Sequence, residues 1–233
     1  TKNPARLTGY KVLLIGAEPL TLLSFRGPLI RQLLEEGCDV HLAAGPPSDD
    51  VLKRIMAEGV RFHALPLARA GMNPLSDVRT MKAIFSLIRQ ITPHCVIAYT
   101  AKPVVYGLLA AWLAGVPRRV AMITGLGYAF IAGPEFKRKL ARLAASALYG
   151  MVLPRCTRVI FQNPDDLEEF RRRRLLPENV AVAVVNGSGV DLLHFCVHPP
   201  PEGPPAFVMI ARLLVDKGTR EYVGAAGMVK EQI

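Results

Sequence analysis

The sequence lacks the clustered cysteine and histidine residues from which zinc sites and disulfide frameworks are built. Its four cysteines lie far apart and form no C-x-x-C pair: Cys38, Cys95, Cys156 and Cys196. The five histidines show no metal-ligand spacing either. We therefore expect no metal site, and we expect the thiols to stay reduced, as in a cytosolic protein.

Other absences exclude further classes of protein. No G-x-G-x-x-G fingerprint occurs, which disfavours an enzyme that uses a nicotinamide cofactor. The longest runs without a charged residue, 103–117 and 120–134, are shorter than the roughly 20 residues of a membrane-spanning helix. The amino terminus, T-K-N-P-A-R, is polar and does not have the pattern of a signal peptide. We expect a soluble or peripheral membrane protein.

The charge of the chain is strongly positive. Twenty-nine Lys and Arg residues against 19 Asp and Glu residues give a net charge of +10. This balance is compatible with nucleic acid, with an anionic membrane surface or with substrates that carry phosphate. Aromatic residues make up 7% of the chain and do not alternate with basic ones, so nucleic acid is the weakest of the three.

Apolar strand segments alternate with helical segments over the first 190 residues or so. The predicted strands are Tyr10–Gly16, Asp39–Ala44, Val60–Leu65, His94–Tyr99, Arg119–Ile123, Thr157–Gln162 and Ala181–Val185. The predicted helices begin at Ser24–Phe25, Pro47, Asn73, Val104, Glu135 and Asn163. This alternation predicts an α/β fold, a Rossmann-like doubly wound parallel sheet with helices on both faces. Ligands bind at the carboxyl ends of the strands in such sheets.

Two of the predicted helices have specific sequence features, a capping sequence and an apolar stripe. Asn163 is followed by Pro-Asp-Asp, which predicts an N-cap and a proline at the first helical position. The helix from about Glu135 to Leu153 carries an apolar stripe: Leu140, Leu143, Ala144, Ala147, Leu148 and Met151.

The chain is predicted to contain one whole domain and the start of another. Residues 1–197 form the first domain, residues 198–205 a Pro-rich linker, and residues 206–233 the start of a second domain. Its first elements are a strand over Ala206–Ala211 and a helix that follows Lys217. This last segment is shorter than the roughly 40 residues usually needed for independent folding.

Several predicted strand ends carry candidate ligand residues. Gly16 and Glu18 follow the first strand, where the glycine either admits a ligand close to the backbone or only makes a tight turn. Thr100 and Lys102 follow the fourth strand, where the lysine either holds an anionic group near a helix start or is a surface residue.

Two further segments each have two interpretations, one functional and one purely structural. Gly125, Gly127 and Tyr128 follow the fifth strand and form either a substrate loop or an ordinary loop. The next helix begins with a basic cluster, which either contacts an anionic leaflet, at about 1 kcal/mol per charge, or is a solvated face. The cluster consists of Lys137, Arg138, Lys139 and Arg142.

The joint between the two domains has the most specific order of residues. Asn186, Gly187, Gly189 and Asp191 form a Gly-rich hinge after the seventh strand. Arg212 then ends the next predicted strand, and Lys217 precedes the next predicted helix. A helix amino terminus with an arginine and a lysine is suited to a diphosphate group.

These segments resemble a known family. N-G-S-G-V-D-L-L-H-F followed by A-R-L-L-V-D-K-G-T-R-E is similar to the domain joint of retaining glycosyltransferases of family four, which have the two-lobed GT-B fold. T-A-K-P-V-V-Y-G-L-L-A-A-W-L-A-G-V-P and I-T-G-L-G-Y-A-F further resemble the bacterial branch that acts on undecaprenyl-diphosphate-linked sugars. The resemblance runs from about Tyr10 to Lys230.

The resemblance implies a function. The carboxyl lobe would bind a nucleotide-sugar, usually a UDP-sugar, with Arg212 and Lys217 on its diphosphate. The amino lobe would bind a lipid-linked glycan acceptor, with the loops at Gly16 and Gly125–Tyr128 facing the cleft. The resemblance implies retention of anomeric configuration and neither metal nor cofactor, because the basic pair does the work of a cation. Such an enzyme would work in cell-surface polysaccharide biosynthesis, in the cytoplasm or peripherally on the inner membrane.

The sequence departs from the family pattern at two points, and two alternative functions stay open. The chain ends before the family's pair of glutamates in the carboxyl lobe could occur, and Ala101 stands where some relatives have a histidine. No catalytic base is identified. A sugar-nucleotide epimerase of GT-B fold is an alternative enzyme, and a non-catalytic, acceptor-binding fragment is the alternative outside enzymes. We expect the 233-residue chain to be inactive alone.

Overall fold

The structure is a computed structural model that describes residues 7–67, 74–125, 136–192, 195–199, 202–211, 213 and 217–230. Of residues 74, 75, 136–138 and 141 it describes the backbone alone. The chain divides into two compact units, Thr1–Asp191 and Leu192–Ile233. The boundary that we predicted, at residue 197, lies slightly further along the chain.

Seven parallel strands form the sheet of the first unit. They are β1 (Lys11–Ile15), β2 (Asp39–Ala44), β3 (Arg61–Ala64), β4 (Cys95–Tyr99), β5 (Arg118–Ile123), β6 (Arg158–Phe161) and β7 (Ala181–Val184). Their order is β3-β2-β1-β4-β5-β6-β7. Each predicted strand of this unit is found within one residue of its predicted ends. The predicted Rossmann-like class is confirmed, and its strand order reverses between β1 and β4.

Helices connect the strands and cover both faces of the sheet. They are α1 (Pro19–Glu35), α2 (Asp49–Ala57), α3 (Pro74–Ile91), α4 (Leu108–Leu113), α5 (Phe136–Val152) and α6 (Pro164–Arg172). A π-helical turn, Pro103–Gly107, precedes α4, and a 3-10 turn, Leu153–Arg155, follows α5. No helix within the described ranges has the length and apolar character needed to cross a bilayer.

The core lies in two layers, one on each face of the sheet. Alternate residues of β1 enter opposite layers, as the period of two of a strand requires. Leu13 and Ile15 pack with residues of α3 to α6, whereas Val12 and Leu14 pack with residues of α1 and α2. All four are at most 2% exposed. A fully buried side chain of this size contributes about 1.5–3 kcal/mol, so β1 anchors both layers.

Helix α1 begins earlier than predicted. We expected a start at Ser24–Phe25 with Pro28 in the first turn, which is wrong, because the helix begins at Pro19. Proline is favourable at this first position, since its missing N–H would have no partner there anyway. The Thr21 hydroxyl donates to the Glu18 carbonyl at 2.6 Å and fastens the first turn. Pro28 lies inside the helix.

Helix α5 exposes part of its apolar stripe. Leu140 and Leu143 are 57% and 68% exposed. The buried face instead includes Tyr149 and Val152. Both faces of α5 carry apolar residues at helical spacing, so periodicity alone did not distinguish the inner face from the outer one.

The second unit contains α7 (Thr219–Lys230). The strand predicted over Ala206–Ala211 is wrong, because residues 205–210 have no regular secondary structure. A strand is defined by hydrogen bonds to a neighbouring strand, and the described residues of this unit provide none. The hydroxyl of Tyr222 donates to the Phe207 carbonyl at 2.7 Å within this unit.

The predicted cap of α6 is confirmed. The Asp166 amide donates to Asn163 Oδ1 at 2.7 Å, and Asn163 Nδ2 donates to Asp166 Oδ2 at 2.9 Å. Asp166 is 7% exposed, so this reciprocal pair is well shielded from water. Ser48 stands at the same position before α2, but its side chain makes no capping hydrogen bond.

We predict that Asn163→Ala lowers the free energy of unfolding by about 0.5–2 kcal/mol, the usual cost of removing an N-cap acceptor. Ser48→Ala is the matched control and should change it by less than about 0.5 kcal/mol. Urea unfolding followed by circular dichroism measures both. Equal effects of the two substitutions would contradict the assigned cap.

Candidate functional site

The candidate site lies at the carboxyl edge of the sheet. Because all strands are parallel, the segments that follow β1, β4, β5, β6 and β7 emerge at this one edge. It therefore gathers Gly16, Thr100, Gly125 and the turn from Asn186 to Gly189. In folds of this kind the crevice where the strand order reverses, here between β1 and β4, is the usual ligand site.

Position 16 must be glycine because an aromatic ring occupies the space where a Cβ atom would lie. A Cβ atom at this position would lie 2.5 Å from Tyr99 Cζ, and closer still to the hydroxyl oxygen. The Gly16 amide donates to the Ala43 carbonyl at 3.0 Å, which holds the backbone in place. Of the two interpretations of Gly16, this contact favours the tight turn, because the space beside Gly16 is filled by the side chain of Tyr99.

Tyr99 connects β4 to the start of α1. It is 2% exposed, and its hydroxyl oxygen lies 3.0 Å from Thr21 Oγ1. Since the Thr21 hydroxyl donates to the Glu18 carbonyl, Tyr99 is the donor to Thr21. Burial raises the pKa of Tyr99 to about 12, so its hydroxyl stays protonated at neutral pH. The β1–α1 loop with Glu18 is thus fixed to β4.

Arg26 on α1 extends this network across the edge. It is 4% exposed, and its guanidinium carbon lies 4.8 Å from the centroid of the Tyr99 ring. Its Nη1 donates to Ser188 Oγ at 3.0 Å, and Gln162 Nε2 donates to the same oxygen at 3.1 Å. Burial lowers the pKa of Arg26. One network therefore joins α1, the end of β4, the end of β6 and the turn after β7.

Thr100 is strained at the reversal point. Its φ of 67° is unusual for a residue branched at Cβ, and backbone strain of this kind clusters at functional sites. Its hydroxyl is buried and has no hydrogen-bond partner among the residues that the structure describes, which is uncommon in folded proteins. Thr100 is the predicted site residue whose conformation most clearly departs from ordinary packing.

Lys102 is paired with a carboxylate that the sequence did not reveal. Its Nζ lies 2.8 Å from Asp77 Oδ1, and the Tyr106 hydroxyl donates to Asp77 Oδ2 at 2.8 Å. The side chains of Lys102 and Asp77 are 21% and 14% exposed. Neither of the two interpretations of Lys102, an anion-binding residue or a surface residue, included this ion pair with a side chain in the first turn of α3. Tyr106 belongs to the π-helical turn, an element frequent at functional sites.

The hinge turn contains two glycines in the left-handed region. Gly187 has φ of 74° and Gly189 has φ of 78°, and these conformations favour glycine. The Gly187 amide donates to the Gln162 carbonyl at 3.3 Å. A groove of about 280 Å³ separates Pro28, Arg31, Gln32 and Glu35 of α1 from residues 188–191, which include Asp191.

The remaining predicted site residues are only partly described. Gly125 has φ of 146°, and no atom of the described residues lies within 4 Å of the position that its Cβ would take. Gly127, Tyr128 and Arg212 lie outside the described residues. Lys217 is exposed and immediately precedes Gly218, whose carbonyl accepts from the Tyr222 amide at 2.9 Å. Across the described ranges, no three His, Cys, Asp or Glu side chains come together as metal ligands would.

We predict that Gly16→Ala destabilises the first unit by about 1–3 kcal/mol, because the added methyl group overpacks against Tyr99. Gly150→Ala is the matched control. Its Cβ would meet one side-chain atom at 3.9 Å, and a helical alanine is better than glycine by up to about 1 kcal/mol. Thermal unfolding of the two variants tests this. An unchanged midpoint for Gly16→Ala would contradict the tight Gly16–Tyr99 contact.

Comparison with known proteins agrees with this architecture. Residues 27–187 match the family model of the glycosyl transferase 4-like domain. A glycosyltransferase from Rickettsia africae superimposes with a TM-score of 0.54 at 14% identity over 81% of this chain and 45% of its own. A UDP-N-acetylglucosamine 2-epimerase superimposes with a TM-score of 0.57 at 16% identity over 84% of this chain and 53% of its own. At such identities these two structures support the fold alone.

A curated relative is more similar in sequence. The N,N'-diacetylbacillosaminyl-diphospho-undecaprenol alpha-1,3-N-acetylgalactosaminyltransferase of Campylobacter jejuni is 26% identical over 225 residues. The match covers 91% of this chain and 58% of that protein, so the chain spans little more than half the length of this relative. The match to the family model covers most of the first unit and all but the first of its seven strands. The chain therefore belongs to the glycosyl transferase 4-like domain family.

Proposed function

We propose that this chain is the acceptor-binding lobe, with the beginning of the donor-binding lobe, of a retaining glycosyltransferase. The enzyme transfers a hexose or N-acetylhexosamine from a UDP-sugar to an undecaprenyl-diphosphate-linked glycan in cell-surface glycan biosynthesis. The observation that carries this proposal is the similarity over 225 residues to a transferase whose name states a diphospho-undecaprenol acceptor. Family membership supports the reaction class.

In this proposal the two lobes have different tasks. Arg212 and Lys217 bind the donor diphosphate and offset the charge that develops on the departing nucleotide, so neither metal nor cofactor is needed. The acceptor lies along the carboxyl edge, near the loops at Gly16–Glu18, Thr100–Lys102 and Gly125–Tyr128. Because Lys102 is paired with Asp77, we assign these two side chains to hydrogen bonding with acceptor hydroxyl groups. The acceptor sugar then attacks on the face from which the nucleotide leaves.

An epimerase of the same fold is the second candidate, favoured by the superposition on a UDP-N-acetylglucosamine 2-epimerase. Epimerisation requires an acid and a base that reach a sugar carbon. At the described part of the edge, Tyr99 is 2% exposed with a pKa raised to about 12 by burial, and Asp77 accepts from both Lys102 and Tyr106. These groups suit positioning better than proton transfer, which favours the transferase.

Separate assays of acceptor binding and turnover test the proposal. We expect the 233-residue chain to bind undecaprenyl diphosphate carrying one N-acetylhexosamine in detergent micelles, measured by surface plasmon resonance against empty micelles. We expect neither sugar transfer from UDP-N-acetylgalactosamine to this lipid nor conversion of UDP-N-acetylglucosamine to its 2-epimer. Epimer formation would favour the second candidate. Failure to bind the lipid would overturn the acceptor-lobe assignment, and transfer would overturn the expected inactivity of the chain alone.

We also propose that α5 docks on the cytoplasmic face of the inner membrane. Lys137, Arg138, Lys139 and Arg142 supply positive charge, and α5 contains no Asp or Glu. The exposed Leu140 and Leu143 lie among these cations along the same helix. Cations near an anionic leaflet contribute about 1 kcal/mol each, and a fully buried leucine about 1.5–3 kcal/mol. Together they suit reversible, peripheral binding.

We predict that Leu140→Ser with Leu143→Ser weakens binding to phosphatidylglycerol vesicles by at least about tenfold, since two leucines lose apolar contact with the lipid. Leu52→Ser, at a 37% exposed leucine of α2, is the matched control and should bind like the unaltered chain. Vesicle co-sedimentation at two salt concentrations separates the electrostatic contribution to binding from the apolar one. Equal binding to phosphatidylcholine vesicles, or no effect of the double substitution, would contradict this docking surface.

A further inference from the structure

Ser188 is the meeting point of two long-range hydrogen bonds in the hinge turn. Its hydroxyl oxygen accepts from Arg26 Nη1 at 3.0 Å and from Gln162 Nε2 at 3.1 Å. Gly187 and Gly189 on either side have positive φ, so the turn has a tight, specific shape that few other residues would adopt. The backbone of the turn has a further tie, from the Gly187 amide to the Gln162 carbonyl. The side chain of Ser188 therefore joins the turn to α1.

The burial of the charged Arg26 side chain is energetically unfavourable. Arg26 is 4% exposed, and its Nε is buried with no hydrogen-bond partner in the described part of the chain. Among the described residues its partners are Ser188 Oγ, the Phe25 carbonyl at 3.5 Å and the face of Tyr99, and no carboxylate pairs with it. A buried cation without a counter-ion is costly unless other groups compensate. The contact with Ser188 is the shortest hydrogen bond that offsets this cost.

We propose that Arg26 is a positioning residue that latches the turn Asn186–Gly189 onto α1. The latch fixes the direction in which the chain leaves β7, and release of the Arg26–Ser188 contact frees residues 185–190 while the core stays folded. The same guanidinium lies on Tyr99, whose hydroxyl reaches Thr21 beside the loop after β1. Arg26 thus contacts both the turn after β7, through Ser188, and the Tyr99 side chain that holds the loop after β1.

The consequence for catalysis rests on the proposed function. In a two-lobed transferase, this turn begins the connection to the donor lobe, so the latch would govern how freely that connection bends. The latch itself is a property of the first unit. It is tested by local backbone motion, whose outcome does not depend on which reaction the protein catalyses.

Hydrogen exchange measured by mass spectrometry on the 233-residue chain tests the latch. Arg26→Met removes the donor and keeps an apolar side chain of similar length. We expect the amides of Val185 and Gly187, which donate to the carbonyls of Phe161 and Gln162, to exchange roughly ten- to a hundredfold faster. This is the range for losing one hydrogen bond to a charged group. Amides of β1 and β2 should exchange at their original rates.

Three further variants separate a latch from simple packing. Arg54→Met removes an exposed arginine of α2 that does not line the groove beside residues 188–191, and it should leave the turn unchanged. Ser188→Ala should accelerate the same turn amides as Arg26→Met, and the double variant should add little to either. Arg26→Lys, which keeps the charge and a donor, should restore part of the protection.

Two results would overturn the latch. One is exchange at Val185 and Gly187 that is the same in Arg26→Met as in Arg54→Met. The other is acceleration of equal size in the turn and in β1 and β2, which would make Arg26 a residue of global stability. Additive effects of Arg26→Met and Ser188→Ala would equally contradict a single shared contact.

Discussion

The pairing of β1 with β4 is the constraint on which the carboxyl edge depends. Val12 pairs with Cys95 and Ile15 with Ala98, so the residues that follow, Gly16 and Tyr99, leave the sheet side by side. A ring of this size fits there only because residue 16 has no side chain. The arrangement then aligns the Tyr99 hydroxyl with Thr21 and its ring with Arg26. One register thus determines the contacts of the β1–α1 loop.

The polar groups at this edge depend on the two apolar layers beneath them. Arg26 belongs to the same helix as Leu22 and Ile30, both fully buried in the α1–α2 layer. Asp77 is held similarly by α3, whose Ile84 and Ile88 enter the opposite layer. A rigid helix holds a buried charged side chain in place, whereas on a mobile loop the same side chain would move out into the solvent. The edge is therefore polar but preorganised, as a binding site requires.

Local patterns predicted the seven strands of the first unit and the Asn163 cap, because short apolar runs and a capping sequence are visible in a few consecutive residues. Contacts between distant residues were not predictable in that way, since Ser188 lies 162 positions from Arg26 and Asp77 lies 25 positions from Lys102. One sequence signal was nevertheless present. Leu22, Arg26 and Ile30 have the spacing of one helix face, so a charged residue stands where an apolar one is expected. The predicted start at Ser24–Phe25 hid this signal, because it left Leu22 outside the helix.

The pairing of Lys102 changes what the edge can bind. An unpaired lysine would favour an anion, whereas a lysine that shares Asp77 with Tyr106 offers both donors and acceptors at short range. Sugar hydroxyl groups need both, because each hydroxyl donates one hydrogen bond and accepts others. In the proposed transferase this separates two chemistries, with diphosphate charge met by Arg212 and Lys217 and acceptor hydroxyls met at the edge. The strained Thr100 lies between Tyr99 and the Lys102 pair, where the two networks of the edge meet.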